Sequence, residues 1–243
     1  MSEKITRAMI FAAGLGTRLK PWTDHHPKAL AVVNGKPLLQ RNIEYLQQYG
    51  IANIIVNVHH FADQIIRFLE ANNNFGIDIR VSHEEGEPLE TGGGLQKAAW
   101  FLKEADPFLV MNADILTDLD IHTLLDFHKE HQPLVTLAVT DRNSSRAFLF
   151  NKDNRLCGWQ NVKTGEEKRP VPADQYIPRA FSGIHLMDPA IFSLLTETGK
   201  FSLVDVYLRL AASRVIMGYD HSGSKLIDVG KPESIRQAEE LFS

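Results

Sequence analysis

Residues Ala8-Met9-Ile10-Phe11-Ala12-Ala13 form an apolar run that passes directly into Gly14-Leu15-Gly16-Thr17-Arg18-Leu19. Six apolar residues ending at a glycine turn predict a strand buried on both faces, with a loop free to follow it. Outward from there the pattern alternates. Pro37–Tyr49 places Leu38, Leu39, Ile43 and Leu46 at helical spacing, with Pro37 suited to a first helical position and Gly50 to a C-terminal cap. Strands are expected at Asn53–Val58, Ile77–Val81, Phe108–Met111 and Leu134–Val139. Helices are expected at Phe61–Leu69, Thr91–Lys103 and Ile121–His131. Such βαβα alternation predicts an α/β fold: a Rossmann-like, mostly parallel (mixed) sheet with helices on both faces. From residue 143 the patterns shorten and turn residues multiply, which predicts a small antiparallel sub-domain. The chain then closes with a helix at Leu203–Ala212, strands at Val215–Tyr219 and Leu226–Asp228, and a helix at Pro232–Phe242 expected to pack on the sheet. With no linker or repeat, 1–243 is expected to be one domain, its first part about 1–140 and its second about 141–243.

Composition narrows the function classes. At 44% hydrophobic and 23% charged, the chain sits near the globular average, which argues against disorder. The net charge of −4 provides no positive field for a nucleic-acid backbone. A single cysteine, Cys157, forms no intramolecular disulfide, and its apolar neighbours suggest packing. The apolar run near the start is too short for a signal segment or a membrane span. A soluble, cytoplasmic protein is expected, a monomer or small homo-oligomer with no membrane or nucleic-acid partner.

A glycine turn after a strand can bring backbone N–H groups against phosphate. The dinucleotide fingerprint requires a third glycine where Leu19 stands, and GxxxxGK[ST] is absent. Instead Arg18 is followed by Pro27-Lys28-Ala29-Leu30, two cations suited to a triphosphate. Across Gly14–Lys28, Arg18, Lys20 and Lys28 face a single acid, Asp24. Two aspartates stand out further along. Asp114 closes the fourth strand and Asp228 lies in Ile227-Asp228-Val229-Gly230. An aspartate just past a strand end can hold Mg²⁺ or cap the next helix.

Ala12–Leu19, Pro27–Leu30 and Gly35-Lys36-Pro37-Leu38 together resemble the signature of the sugar-1-phosphate nucleotidyltransferases. The resemblance continues to the C-terminus. It implies a reaction between a nucleoside triphosphate and a sugar 1-phosphate, with Arg18 and Lys28 as catalytic, phosphate-binding cations. It further implies nucleotide contacts from Ala12, Ala13, Gly14, Gly16, Thr17, Glu85, Glu90, Thr91 and Asn112, and Mg²⁺ as cofactor on Asp114 and Asp228. The aspartate follows Ala113 here, where the family more commonly has glycine. A catalytically silent subunit on the same fold would lack part of the set Arg18, Lys28, Asp114 and Asp228; all four are present.

The stretch Glu85–Gly94 faces the base in this family. Glu85 could accept N3–H of uracil, or N1–H and N2–H of guanine. The stretch is most similar to the N-acetylmuramate 1-phosphate uridylyltransferases of cell-wall recycling, implying UTP and N-acetylmuramate 1-phosphate. The alternative is guanylyl transfer to heptose or mannose 1-phosphate; the heptose enzymes are similar over this stretch but more often have glycine where Glu90 stands. Phe181-Ser182-Gly183-Ile184 resembles the strand lining the sugar pocket, which assigns Ser182 and Gly183 to the sugar. A lactyl carboxylate calls for a cation: Arg146 first, then Arg142 and Lys168. Trp159 could stack on a sugar or belong to the core.

Overall fold

The computed structural model describes residues 4–105 and 107–243. Strand β1 (Arg7–Phe11) is central, with Ala8, Met9 and Ile10 wholly buried. A short pair, β2 (Val32–Val33) and β3 (Lys36–Pro37), leads into α1 (Leu38–Gln48). Pro37 is therefore not the first helical residue. Pairing with Val32 holds it extended at ψ 147°, and the helix starts one residue later. Gly50 ends the helix at φ +72°, its N–H donating to Gln47 O at 2.9 Å. There follow β4 (Asn53–Val58), α2 (Ala62–Ala71) and β5 (Asp78–His83). The helix expected over Thr91–Lys103 is two, α3 (Glu90–Lys97) and α4 (Ala99–Leu102). They divide where the Ala98 N–H is shared between Gly94 O and Leu95 O, tightening the last turn of α3. Next come β6 (Phe108–Asn112), β7 (Ile115–Thr117), α5 (Ile121–His131) and β8 (Val135–Thr140). Asp120 caps α5 by accepting the His122 N–H at 2.8 Å.

The remainder is β9 (Arg146–Phe150), β10 (Leu156–Asn161), β11 (Glu166–Lys168), β12 (Ile177–Met187), α6 (Ile191–Leu194), α7 (Leu203–Ala211), β13 (Ile216–Asp220), β14 (Leu226–Asp228) and α8 (Pro232–Leu241). Strands β5, β4, β1 and β6 run parallel in that order. Antiparallel β12 lies between β6 and β8, and β13 runs parallel to β8. The first residues of β12 pair with β9, which starts the antiparallel run β9-β10-β11. The expected antiparallel elaboration thus hangs on one eleven-residue strand shared with the main sheet.

One core cluster packs α1, α2 and α5 on one face of the sheet, through Leu39, Ile43, Ile65 and Leu124. Another packs α3, α4, α6 and α7 on the other, through Leu95, Leu102, Ile191 and Val206. With both faces occupied, α8 does not pack on the main sheet. Ala238, Ile235 and Phe242 instead cover Leu19, Val33, Leu116 and Val229, directly beneath the glycine loop. No helix among the described residues is long and apolar enough to cross a membrane.

His185 on β12 lies in the second cluster, 2.7 Å from the hydroxyl of the wholly buried Tyr207. Burial pushes the imidazole down from 6.5 to about 3. The unfolded chain binds this proton below pH 6.5 and the folded one only near 3, so stability falls as pH drops through that window. The slope expected from this one group is about 1.4 kcal/mol per pH unit. Replacing both partners, His185→Phe with Tyr207→Phe, should flatten the fall in urea midpoint between neutral and mildly acidic pH. Equal pH dependence in both proteins would contradict it.

Candidate active site

Because β1, β4, β5 and β6 are parallel, the residues after Phe11, Val58, His83 and Asn112 gather along one edge, where ligands bind in open α/β sheets. The glycine loop is anchored at its start and free at its crest. Ala12 N–H donates to Asn57 Oδ1 at 2.8 Å. Gly16 is left-handed at φ +63°, and a Cβ there would lie 2.8 Å from Thr23 Cγ2, so the close turn requires glycine. Thr23 Oγ1 donates to Gly16 O at 2.9 Å. A Cβ on Gly14 would meet nothing, and that residue faces open space. Leu19, which breaks the dinucleotide fingerprint, is 1% exposed and anchors the far end of the loop in the cluster under α8.

Four residues from three parts of the chain meet beside this loop. Lys28 Nζ bonds the Asp114 carboxylate and lies 3.8 Å from Asp228 Oδ1. Arg18 lies 3.8 Å from Asp228 Oδ2. The short pair β7–β14 makes this convergence, setting Asp228 opposite Ile115, and Val229 N–H donates to Asp114 O at 2.8 Å. Gly230 leaves room for the guanidinium; a Cβ there would sit 2.7 Å from Arg18. Burial, then the Asp114 charge, push the Asp228 carboxyl above its ordinary value, against the pull of Lys28, Arg18 and Arg142. Two carboxylates whose repulsion is incompletely relieved are a donor set suited to a hard divalent cation.

Two cavities adjoin the cluster and another lies on the other side of the glycine loop. One of about 110 Å³ lies between the loop and Lys28, Asn112 and Asp114. A second of about 110 Å³ is bounded by Phe11, Ala13, Gly14, Pro88, Glu90 and Thr91, with Asn57 and Glu84 at its base. Glu85 is exposed and does not line it. Glu90 is held left-handed at φ +59°, a conformation that costs a residue with a Cβ about 1–2 kcal/mol. The third cavity, about 750 Å³, opens beyond Asp228 and is lined by Arg18, Arg142, Arg146, Trp159 and Lys163. Arg142 donates to Phe181 O at 2.7 Å. Lys168 is held by Asp205 at 3.0 Å and is not among that cavity's walls. Trp159 both lines this space and packs against the second core cluster.

Ser182 is turned inward, its hydroxyl 2.7 Å from His221 Nε2. Gly183 follows at φ +76°, where a Cβ would lie 2.7 Å from Ile115 and 2.9 Å from Asn112 Nδ2. Asn57, Glu84 and His221 were not singled out from sequence. Asn57 carried a signal: a polar residue within the buried strand Asn53–Val58 must find hydrogen-bond partners.

A family model described as nucleotidyl transferase matches residues 7–242. The N-acetylmuramate alpha-1-phosphate uridylyltransferase of Caulobacter vibrioides is 31% identical, the match covering 98% of each chain. A UTP–glucose-1-phosphate uridylyltransferase of Synechocystis is 28% identical over 96% of this chain. A mannose-1-phosphate guanylyltransferase catalytic subunit beta of Xenopus tropicalis is 38% identical over 93% of it. The chain spans 62% of the length of each of the last two. Among solved structures, HddC from Yersinia pseudotuberculosis complexed with GMP-PN superposes with a TM-score of 0.80 at 26% identity, covering 98% of this chain and all of that one.

The Gly183 contacts yield a direct expectation. Gly183→Ala adds both left-handed strain and a clash against Ile115, and should destabilise the fold by about 1–3 kcal/mol in urea unfolding. An unchanged midpoint would show that the strand can shift to admit a methyl group.

Proposed function

This chain belongs to the nucleotidyl transferase family, and from that premise we propose that it transfers a nucleotidyl group from a nucleoside triphosphate to a sugar 1-phosphate. Its proposed substrates are UTP and N-acetylmuramate 1-phosphate. The observation that carries the reading is the meeting of Arg18 and Lys28 with Asp114 and Asp228, between the glycine loop and the large cavity. An oxygen of the sugar phosphate bonds to the α-phosphorus, the bridging P–O bond to the β-phosphate breaks, and pyrophosphate leaves. The attacking oxygen is already anionic near neutral pH, so no side chain need take a proton. Placement and charge neutralisation are what the protein supplies. The uncovered backbone at Gly14 lets the phosphates approach closely, with Ala12, Ala13, Gly16 and Thr17 shaping the wall around them. Lys28 and Arg18 exchange their carboxylate partners for phosphate oxygens and balance the charge that builds on the α-phosphate and the leaving pyrophosphate. Mg²⁺ held by Asp114 and Asp228 would supply Lewis-acid polarisation of the α-phosphate.

The finer assignment rests on the stretch Glu85–Gly94 and on the Caulobacter uridylyltransferase, alignable from end to end. Residues about 1–140 hold the nucleotide and about 141–243 the sugar, with Asp228 reaching back across that division. Around the large cavity Arg18, Arg142, Arg146 and Lys163 outnumber the one carboxylate, Asp228. That surplus suits a sugar phosphate carrying a second anion, such as a lactyl carboxylate, and Trp159 offers a ring face to the sugar. A second reading, guanylyl transfer to heptose or mannose 1-phosphate, is favoured by the 38% identity to the Xenopus subunit and by the Yersinia structure with GMP-PN. Either reading describes a cytoplasmic protein, a monomer or small homo-oligomer.

Pyrophosphate release measured across four triphosphates and several sugar phosphates, with and without Mg²⁺, separates the readings. UTP with N-acetylmuramate 1-phosphate should give the highest kcat/KM. A preference for GTP would select the second reading, and no Mg²⁺-dependent turnover with any pair would favour a silent subunit. Lys28→Ala should lose about 10²–10³ in kcat while remaining folded by circular dichroism. Near-normal turnover would remove Lys28 from the chemistry. Arg146→Ala should weaken the preference for N-acetylmuramate over N-acetylglucosamine 1-phosphate, and equal use of both sugars by the unaltered protein would exclude a carboxylate clamp.

A further inference from the structure

Glu84 has no part in the proposal above, yet it is 1% exposed and the only carboxylate in the buried set among the described residues. Its two oxygens take separate partners. Asn57 Nδ2 donates to Oε1 at 2.6 Å and Leu89 N–H donates to Oε2 at 2.9 Å. Asn57 is itself oriented, because its Oδ1 accepts the Ala12 N–H at 2.8 Å. A carboxylate only accepts and a backbone N–H only donates, so the amide has one workable orientation between them. The relay therefore runs from the first residue of the glycine loop, through Asn57 and Glu84, to Leu89, the residue that precedes α3. It has no slack: a Cβ on Gly94 would lie 2.8 Å from both Asn57 Nδ2 and Glu84 Oε1. From the other side His59 Nδ1 lies 2.9 Å from Glu84 O.

The relay spans the floor of the second cavity. Phe11 and Gly14 form one wall, Pro88, Glu90 and Thr91 the other, and the length of the Asn57–Glu84 link sets the gap between them. A flat base read by its edge needs that gap fixed, since a donor or acceptor displaced by a fraction of an ångström no longer discriminates.

We infer that Glu84 is a positioning residue for nucleotide selection: through Asn57 and Leu89 it fixes the separation of the glycine loop from the base-facing loop, and so sets which triphosphate the site accepts. This rests on the reading of the chain as a nucleotidyltransferase. It differs from a direct base contact by Glu85, because it acts through the backbone on both sides of the slot.

Glu84→Gln keeps the size of the side chain and turns one acceptor into a donor, so one of the two N–H partners must face an NH₂ group. The variant and the unaltered chain are compared by steady-state kinetics with UTP and GTP, by calorimetric titration of UTP, and by thermal unfolding. Both the KM and the Kd for UTP should rise by about tenfold, the loss expected when a buried donor goes unmatched. The kcat should change less than KM, and the UTP-to-GTP ratio of kcat/KM should move toward one. A lowered Tm with KM, Kd and the ratio all unchanged would reduce Glu84 to a structural residue and overturn the inference. Asn57→Ser, which cuts the relay on the Ala12 side, gives the same readouts should Glu84→Gln not fold. If the unaltered protein binds UTP but turns over no sugar phosphate, the proposed reaction fails while the calorimetric comparison still decides the role of Glu84. If it binds no triphosphate, both fall.

Discussion

A ladder of three residues holds the site together. Strands β7 and β14 pair antiparallel, with Leu226 opposite Thr117 and Asp228 opposite Ile115, and the Val229 N–H donating to Asp114 O extends the contact by one bond. Without it Asp114 would end a strand in one half of the chain and Asp228 would sit in an unrelated turn. With it the two carboxylates share Lys28, and Arg18 closes on Asp228 from the glycine loop. An isolated pair this short is not stable by itself. Its stability comes from burial: Leu116 and Val229 lie under α8 with Leu19 and Val33, so one small apolar cluster supports the ladder, the loop and the final helix.

That arrangement changes the meaning of the last helix. Its apolar positions Ile235, Ala238 and Phe242 do not add to the main core, whose two faces are already covered by other helices. They seal the underside of the glycine loop. Leu19 belongs to the same seal, which accounts for a large side chain where a dinucleotide-binding turn would need glycine. There a helix packs tightly against its strand; here the loop rests on a cluster that has room for leucine.

The parallel half of the fold was legible because it depends on local pattern. Asn53–Val58 and Ile121–His131 were read to the residue, since an apolar run and a 3.6-residue stripe carry their own boundaries. The place of β12 was not legible. Nothing between residues 143 and 176 indicates that the next strand returns to lie between β6 and β8, because strand order is decided by long-range pairing. At the site the same division holds. Arg18, Lys28, Asp114 and Asp228 were visible as chemistry within short motifs. Nothing in the sequence separates Glu84 from its neighbour Glu85, because adjacent glutamates at a strand end look alike until burial distinguishes them. His221 carries no local sequence signal, because its partner, the Ser182 hydroxyl, lies on a distant strand.

The charge pattern of the loop also acquires a different sense in three dimensions. Arg18, Lys20 and Lys28 against Asp24 suggest a standing positive patch. In the fold Lys20 pairs with Asp24 at 2.9 Å, while Lys28 and Arg18 face Asp114 and Asp228. The patch is neutralised internally, which suits a chain of net charge −4 that must hold cations close together without a ligand. The consequence concerns order. On the proposed reading a polyphosphate arriving alone would compete with two carboxylates for the same cations and would leave those carboxylates facing each other. A divalent cation held by Asp114 and Asp228 would displace Lys28 from them. On the same reading each ligand would free the partners the other requires, which would couple their binding through the Lys28 ammonium group, and such coupling is reciprocal.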